Sequence, residues 1–153
     1  MANVILDTNI YGKFVEDEEG IKLVDKIVRD DKFVIHNFRL IRDELRKVPQ
    51  VLQIYDRLVK TKMNQDTKEI DNLAKEYYKE YRLLGGNKKI NKIIKDFKIV
   101  AFASIKNCDL VFSDDEKTLK SQNSINSYRR VNLKRRIRTP AFYNYKELKR
   151  SFN

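Results

Sequence analysis

Short apolar runs alternate along this chain with longer segments of helical periodicity, and this alternation constrains the fold more than any other feature. Residues 3–6, 32–35 and 110–112 are typical of buried strands, and residues 129–133 show a weaker strand pattern. Apolar residues recur at helical spacing between the strands, most clearly over residues 66–84 and 90–105. The alternation predicts an α/β protein, a three-layer α/β/α sandwich around a mostly parallel sheet of four to five strands.

The end of the chain carries further predictions of local structure. A short helix is expected over residues 116–120, after the third strand. Thr139 and Pro140 have the residue types of a helix cap and first helical position, which predicts a last short helix continuing through Leu148.

Length and composition suit one domain. The chain has 153 residues, of which 41% are hydrophobic, and it has one cysteine, so no internal disulfide can form. No apolar run approaches the roughly 18 residues of a membrane span, and no leader pattern precedes the first strand. We therefore expect a single domain over residues 1–153, located in the cytoplasm and not associated with a membrane.

The charge of the chain is strongly positive and unevenly distributed. The formal net charge is +11, and residues 129–153 hold nine basic residues with Glu147 as the only acid. Such a basic segment, with aromatic residues interleaved, is expected to contact phosphate groups of RNA, although a lysine-rich solvated surface remains the alternative. The candidate RNA-binding residues are Arg129, Arg130, Lys134, Arg135, Arg136 and Arg138.

Acidic residues follow two of the predicted strands. Asp7 comes directly after the first strand, and Asp114 and Asp115 come after the third. The active crevice of an open parallel sheet lies at the carboxyl ends of its strands, so these carboxylates converge if the two strands are neighbours. Glu44 and Asp96 lie on helices that can reach the same edge. Asp96 stands amid apolar helix positions, where a lone buried carboxylate is costly.

Crowded carboxylates favour a bound cation, since they repel one another unless a positive charge neutralises them. Oxygen ligands without a cysteine or histidine cluster favour Mg²⁺ or Mn²⁺ over Zn²⁺. The chain has no glycine-rich phosphate loop of the GxGxxG or GxxxxGK[ST] type and no Ser–His–Asp or Cys–His arrangement. These patterns indicate metal-dependent chemistry and not a side-chain nucleophile.

Four segments in order resemble blocks of the PIN-domain ribonuclease family, which includes the VapC toxins of bacterial and archaeal toxin–antitoxin pairs. Residues 4–10, VILDTNI, are similar to the opening strand hhhDTNh, where h is apolar. Glu44 followed by Leu45 resembles the second acid of the family, and Leu45 favours Glu44 over the adjacent Asp43. Residues 96–103, DFKIVAFA, resemble the block D-x-x-I-[AV]-A-x-A, and residues 110–115, LVFSDD, resemble the last block, [TS]-x-D.

The resemblance covers nearly the whole chain and implies a PIN-like fold with Mg²⁺- or Mn²⁺-dependent hydrolysis of RNA phosphodiester bonds. It implies a variable helical arm over about residues 50–85, with a small antitoxin protein as partner and a homodimer as the assembly. The implied catalytic and metal-binding residues are Asp7, Glu44, Asp96 and Asp115, with Asp114 as a further candidate. The residues implied to orient ligands or water are Thr8, Asn9 and Ser113.

Other functions remain open at this point. The chain could be an RNA-processing PIN nuclease that has no antitoxin, or a catalytically dead PIN module that only binds RNA. The presence of all four acids argues against the dead module. A haloacid phosphatase requires a second Asp two residues after the first, but Asn9 stands there. A receiver domain requires an early acid pair, whereas the pair Asp114 and Asp115 comes late.

Overall fold

The computed structural model describes all 153 residues and contains one sheet of four strands, all of them parallel. The strands in chain order are β1 (Ala2–Leu6), β2 (Phe33–Ile35), β3 (Leu110–Phe112) and β4 (Ala141–Tyr143). Their order across the sheet is β2-β1-β3-β4, so the first and third strands are neighbours. The predicted α/β class and parallel sheet are confirmed.

Eight helices connect or follow the strands. They are α1 (Thr8–Glu16), α2 (Gly20–Arg29), α3 (Arg39–Leu45), α4 (Pro49–Leu58), α5 (Lys68–Leu83), α6 (Ile90–Ile105), α7 (Gln122–Arg135) and α8 (Tyr145–Arg150). Polar side chains accept hydrogen bonds from the first backbone N–H groups of several of them, with Asp7 capping α1, Thr67 capping α5 and Ser121 capping α7. None of these helices combines the length and apolar character needed to cross a membrane.

Helices cover both faces of the sheet. Side chains alternate along each strand, so Phe33 and Phe112 share one face, with their rings 5.7 Å apart. The ring of Phe152, which follows α8, packs on Phe33 at 5.3 Å. Phe142 points to the opposite face, where its ring lies 5.6 Å from that of Tyr128 on α7. This arrangement is the three-layer sandwich expected from the sequence.

The region predicted as a helical arm, residues 50–85, packs against the rest of the protein. Helix α4 contacts α1, α2 and α3, and α5 contacts α6 and α7. The rings of Tyr77, Phe97 and Tyr128 join these last three helices, with centroids 5.0 Å apart for Tyr77–Tyr128 and 5.4 Å apart for Phe97–Tyr128. The buried hydroxyl of Tyr77 donates to Asn132 Oδ1 at 2.6 Å. One cluster of 39 buried residues includes side chains from both parts of this region.

The prediction of a strand at residues 129–133 is wrong, because these residues form the end of α7. Tyr128, Val131 and Asn132 are buried at helical spacing, and the polar side chain of Asn132 is accommodated by the buried hydrogen bond from Tyr77. The actual fourth strand, β4, lies where a helix was expected to begin, after Pro140. It is held by β3, since Ala141 N donates to Asp109 O and Ser113 N donates to Tyr143 O.

The last helix therefore begins later than predicted, at Tyr145. Asn144 and Glu147 form a capping box there, in which each side chain accepts a hydrogen bond from the backbone N–H of the other residue. Residues 116–120, predicted as a short helix, form turns instead. The carboxylate of Asp115 accepts hydrogen bonds from Lys117 N and Thr118 N, which holds the backbone in a turn.

Replacing Tyr77 with Phe should lower the free energy of unfolding by about 1–3 kcal/mol, because Asn132 is left without its buried hydrogen-bond donor. The matched control is Tyr78→Phe, since the hydroxyl of Tyr78 donates to Lys88 O at an exposed position. Urea unfolding followed by circular dichroism measures both. Equal losses in the two variants would contradict a stabilising role for the buried bond.

Candidate active site

The parallel pairing of β1 with β3 brings two acidic loops together. Leu6 is in register with Phe112, and Asp7 N donates to Phe112 O at 2.9 Å, so Asp7 and Ser113 leave the sheet at the same level. The Ser113 hydroxyl donates to Asp7 Oδ2 at 2.7 Å. The carboxylates after β1 and β3 were expected to converge if the two strands are neighbours, and the two strands are neighbours.

Asp7 is almost fully buried, with 2% of its surface exposed. Its carboxylate accepts hydrogen bonds from Thr8 N at 2.8 Å and Asn9 Nδ2 at 3.1 Å, in addition to the bond from Ser113. Burial raises the pKa of Asp7 above its ordinary value, hydrogen bonds from Ser113 and Thr8 oppose the rise, and the charge of Asp115 adds to it. Asp7 is thus held in one orientation by its neighbours.

Asn9 and Ser113 also fix the loop after β3. Asn9 Oδ1 accepts a hydrogen bond from Asp114 N at 3.1 Å, and Ser113 Oγ accepts one from Asp115 N at 3.0 Å. The two side chains therefore contact both acidic loops at once. Thr8, Asn9 and Ser113 were expected from the sequence to orient ligands or water. Their hydrogen bonds to the Asp7 carboxylate and to the loop after β3 would allow that role.

Asp96 and Asp115 share a hydroxyl group, that of Thr118. Thr118 Oγ1 lies 2.7 Å from Asp96 Oδ2 and also hydrogen-bonds to Asp115 Oδ2. Burial raises the pKa of Asp96 to about 7, the Thr118 hydroxyl opposes the rise, and the charges of Asp7, Asp115 and Glu44 add to it. The Thr118 hydroxyl therefore joins the carboxylates of Asp96 and Asp115 and holds them on either side of one side chain.

Glu44 reaches the cluster from α3. Burial raises the pKa of Glu44, and the nearby ammonium group of Lys95 opposes the rise. The charge of Asp7 adds to the rise, and the nearby Thr8 hydroxyl opposes it. Because the same hydroxyl donates to Asp7 Oδ1 at 3.2 Å, Thr8 lies between the two acids. The neighbouring Asp43 is exposed and pairs with Arg46 at 3.3 Å instead.

The four acids predicted from the sequence therefore lie in one cluster at the carboxyl edge of the sheet, close enough for their charges to affect one another. They do not form a single coordination shell. No group of three or more His, Cys, Asp or Glu side chains in the structure is placed to hold one metal ion. Threonine hydroxyls lie between the carboxylates of both pairs, Asp7 with Glu44 and Asp96 with Asp115.

Asp114, the further candidate ligand, is turned towards α8 and away from the cluster. Its Oδ1 accepts a hydrogen bond from Tyr145 N at 2.9 Å, at the first turn of α8. Asp114 therefore connects the loop after β3 to the last helix.

The basic residues predicted to bind RNA lie mostly along α7, which runs from the acidic edge back towards the amino ends of the strands. Three of the six are engaged by acids: Arg130 pairs with Glu80 at 3.2 Å, Arg135 with Glu76 and Arg138 with Asp109 at 2.8 Å. Asp109 directly precedes β3, so its partner Arg138 lies at the sheet edge opposite the carboxylates. Arg129, Lys134 and Arg136 form no ion pair. The structure does not bring the set to the acid cluster.

Thr118 is the residue of the cluster that sequence reasoning missed. The signal available was its position three residues after Asp115, the spacing at which a polar side chain returns to an aspartate that opens a turn. Its contact with Asp96 depends on the docking of α6 against this turn, which joins residues 22 positions apart. A local pattern does not contain that contact.

Replacing Asp96 with Asn should remove a pH-dependent loss of stability measured in EDTA. The pKa of Asp96 is about 7 in the folded chain, and its ordinary value is 3.8. Between these two pH values the folded chain therefore binds this proton more tightly than the unfolded chain does. The free energy of unfolding should therefore fall as pH rises through this window and stay low above it. The introduced asparagine cannot ionise, so the variant should melt at higher temperature than the original protein at pH 8, with the difference shrinking towards pH 4.

Thermal unfolding followed by circular dichroism at several pH values checks this expectation. Asp31→Asn is the matched control, because it removes an exposed carboxylate that has no hydrogen-bond partner. If the melting temperatures of Asp96→Asn and the original protein change with pH in the same way, the assigned burial of Asp96 is contradicted.

Comparison with known proteins gives one result on the fold. No protein-family model matches the chain, and no curated protein matches it in sequence. Among solved structures, it is similar to a chain of the crystal structure of VapBC2 from Rickettsia felis bound to a DNA fragment from their promoter. The TM-score is 0.56 at 15% sequence identity, over 93% of this chain and 98% of that chain. At this identity the likeness shows the fold alone, and it confirms the PIN-like, VapC-like fold predicted from the sequence.

Proposed function

We propose that this protein is a metal-dependent endoribonuclease that hydrolyses RNA phosphodiester bonds. The observation that carries the proposal is the convergence of Asp7, Glu44, Asp96 and Asp115 at the carboxyl edge of a parallel sheet, where active sites of this fold class lie. We further propose that it is the toxin of a type II toxin–antitoxin pair, acts in the cytoplasm as a homodimer and has a small antitoxin protein as partner. The fold likeness to a VapBC2 chain supports this part.

The donor set fits Mg²⁺ or Mn²⁺ in its chemistry. All four side chains offer carboxylate oxygens, the ligands these hard cations prefer, and the raised pKa values of Asp7, Glu44 and Asp96 record the cost of burying them together. A divalent cation offsets that cost. Because the carboxylates do not form one coordination shell, their binding to one ion requires side-chain rotation.

Each residue of the cluster has a distinct part in the proposed reaction. A divalent cation supplies a Lewis acid that polarises the phosphoryl group and favours ionisation of water. Asp7 is held in one orientation by the hydroxyl of Ser113 and would bind the cation from this fixed position. Asp96 is oriented by the Thr118 hydroxyl, which contacts its Oδ2, and would bind the cation as a carboxylate. Water is the nucleophile in this account.

Two alternatives use the same fold. An RNA-processing nuclease without an antitoxin would have the same cluster and the same metal requirement, and would differ only in its partner. A catalytically dead RNA-binding module would need neither acids nor metal. Three half-buried carboxylates crowded around the buried Asp7 are costly to hold together. This cost is hard to account for in a module that only binds RNA, which favours the enzyme.

Cleavage of 5′-labelled RNAs of varied sequence should occur with Mg²⁺ or Mn²⁺ and stop in EDTA. Asp7→Asn should lower the rate on the order of 100-fold or more, because an amide keeps the size of the side chain but loses the charge that would bind the cation. Asp31→Asn, with an exposed side chain, should cleave at the original rate. An absence of metal-dependent cleavage across the RNAs would favour the binding module, and unchanged cleavage by Asp7→Asn would contradict the assigned site.

Thr118→Val should weaken Mn²⁺ binding about 10- to 100-fold, the usual effect of removing a group that orients metal ligands. Valine keeps the shape of threonine but cannot hydrogen-bond to Asp96 and Asp115. Thr118→Ser keeps the hydroxyl and should bind Mn²⁺ as the original protein does. Isothermal titration calorimetry measures both variants, and equal affinities for Thr118→Val and the original protein would show that the hydroxyl has no part in placing the carboxylates.

A further inference from the structure

A surface cleft of about 440 Å³ lies beside the acid cluster. Its lining comes from α3 and the turn after it, and from α6, and consists of Leu40, Asp43, Glu44, Lys47 and Lys95. Glu44 belongs both to the cleft and to the cluster, and Lys95 directly precedes Asp96. The cleft therefore opens next to the carboxylates.

The two lysines of the cleft are free cations. Neither Lys47 nor Lys95 forms an ion pair or a side-chain hydrogen bond, and the ammonium group of Lys95 is close enough to lower the pKa of Glu44. Asp43, the other acid of the cleft, is exposed and already paired with Arg46. The cleft thus presents two ammonium groups without an ion pair immediately beside a negatively charged site.

An RNA substrate needs positive charge at this place. The phosphodiester to be cut must approach four carboxylates, and its neighbouring phosphates are repelled by any of these charges that remain unbalanced. The +11 net charge attracts RNA to the protein as a whole but does not hold it at one position. Ammonium groups on one side of the cluster can hold the backbone there.

We propose that this cleft binds a backbone phosphate of single-stranded RNA adjacent to the bond that is cut, with Lys47 and Lys95 contacting the phosphate oxygens. This inference rests on the proposed nuclease function and names the residues that position its substrate. It assigns phosphate contact to a different part of the protein from the basic C-terminal segment. Arg130, Arg135 and Arg138 would have to leave acidic partners to bind RNA, whereas the two lysines have none.

The test is a binding experiment with the full chain and a fluorescein-labelled single-stranded RNA 20-mer of random sequence. Fluorescence anisotropy is measured in EDTA, which prevents metal-dependent cleavage, over a series of NaCl concentrations. The double variant Lys47→Ala, Lys95→Ala should bind about tenfold more weakly at low salt, and its plot of log K against log salt concentration should be shallower by about 1.4, the value for two lost contacts to a single strand.

Two further variants provide matched comparisons, each with two positive charges removed. Lys22→Ala with Lys79→Ala changes exposed, unpaired lysines on α2 and α5 and should leave the slope nearly unchanged. Arg129→Ala with Lys134→Ala tests the C-terminal segment. The proposal is overturned if the slope of the cleft variant is unchanged, or if the Lys22 and Lys79 control changes by a similar amount. It is also overturned if only the Arg129 and Lys134 variant changes, or if the original protein does not bind the RNA.

Two other readouts separate this proposal from the nuclease assignment and from a structural effect. If the original protein cleaves RNA while the cleft variant keeps the original binding slope, the cleft proposal fails and the nuclease stands. If the slope depends on Lys47 and Lys95 but no RNA is cleaved, the nuclease fails and the cleft stands. Mn²⁺ affinity of the cleft variant should not fall, because the removed charges are positive, and a fall would indicate damage to the cluster and overturn the proposal.

Discussion

The burial of the Asp7 carboxylate between the ends of β1 and β3 is the constraint on which the site depends. A carboxylate in this position is costly unless donors surround it, and the donors come from Thr8, Asn9 and Ser113. Two of these side chains, Asn9 and Ser113, also bind the backbone at Asp114 and Asp115. The hydrogen bonds that stabilise Asp7 therefore also fix the second acidic loop.

The remaining acids join this centre through the packing of helices. Asp96 comes from α6, whose apolar side holds Phe97 against Tyr128, and Glu44 comes from α3. Threonine hydroxyls separate Asp7 from Glu44 and Asp96 from Asp115, which limits direct repulsion between the acids. Burial first, and the charges of the neighbouring acids second, still raise the pKa values of Glu44 and Asp96. The same surplus of negative charge is what a divalent cation and the lysines of the cleft would balance.

The sequence predicted those parts of the protein that local patterns determine. Residues 90–105 form a helix over the predicted range, and Asp7 and Asp115 lie at strand ends because a short apolar run followed by acids defines that position. The pattern could not find β4, whose three residues become a strand only through pairing with β3. The positions of Thr118, Lys47 and Lys95 relative to the acids also depend on helix packing. So do the ion pairs of Arg130 and Arg135 with acids on α5, which no local pattern indicates.

The most direct test of the central claim is a crystal of the protein soaked in Mn²⁺, with anomalous diffraction measured at a wavelength where manganese scatters strongly. An anomalous peak is expected at the carboxyl edge of the sheet, about 2.1 Å from oxygens of at least three of Asp7, Glu44, Asp96 and Asp115. A peak elsewhere on the protein, or no peak in a crystal whose carboxylates remain accessible to solvent, would contradict it.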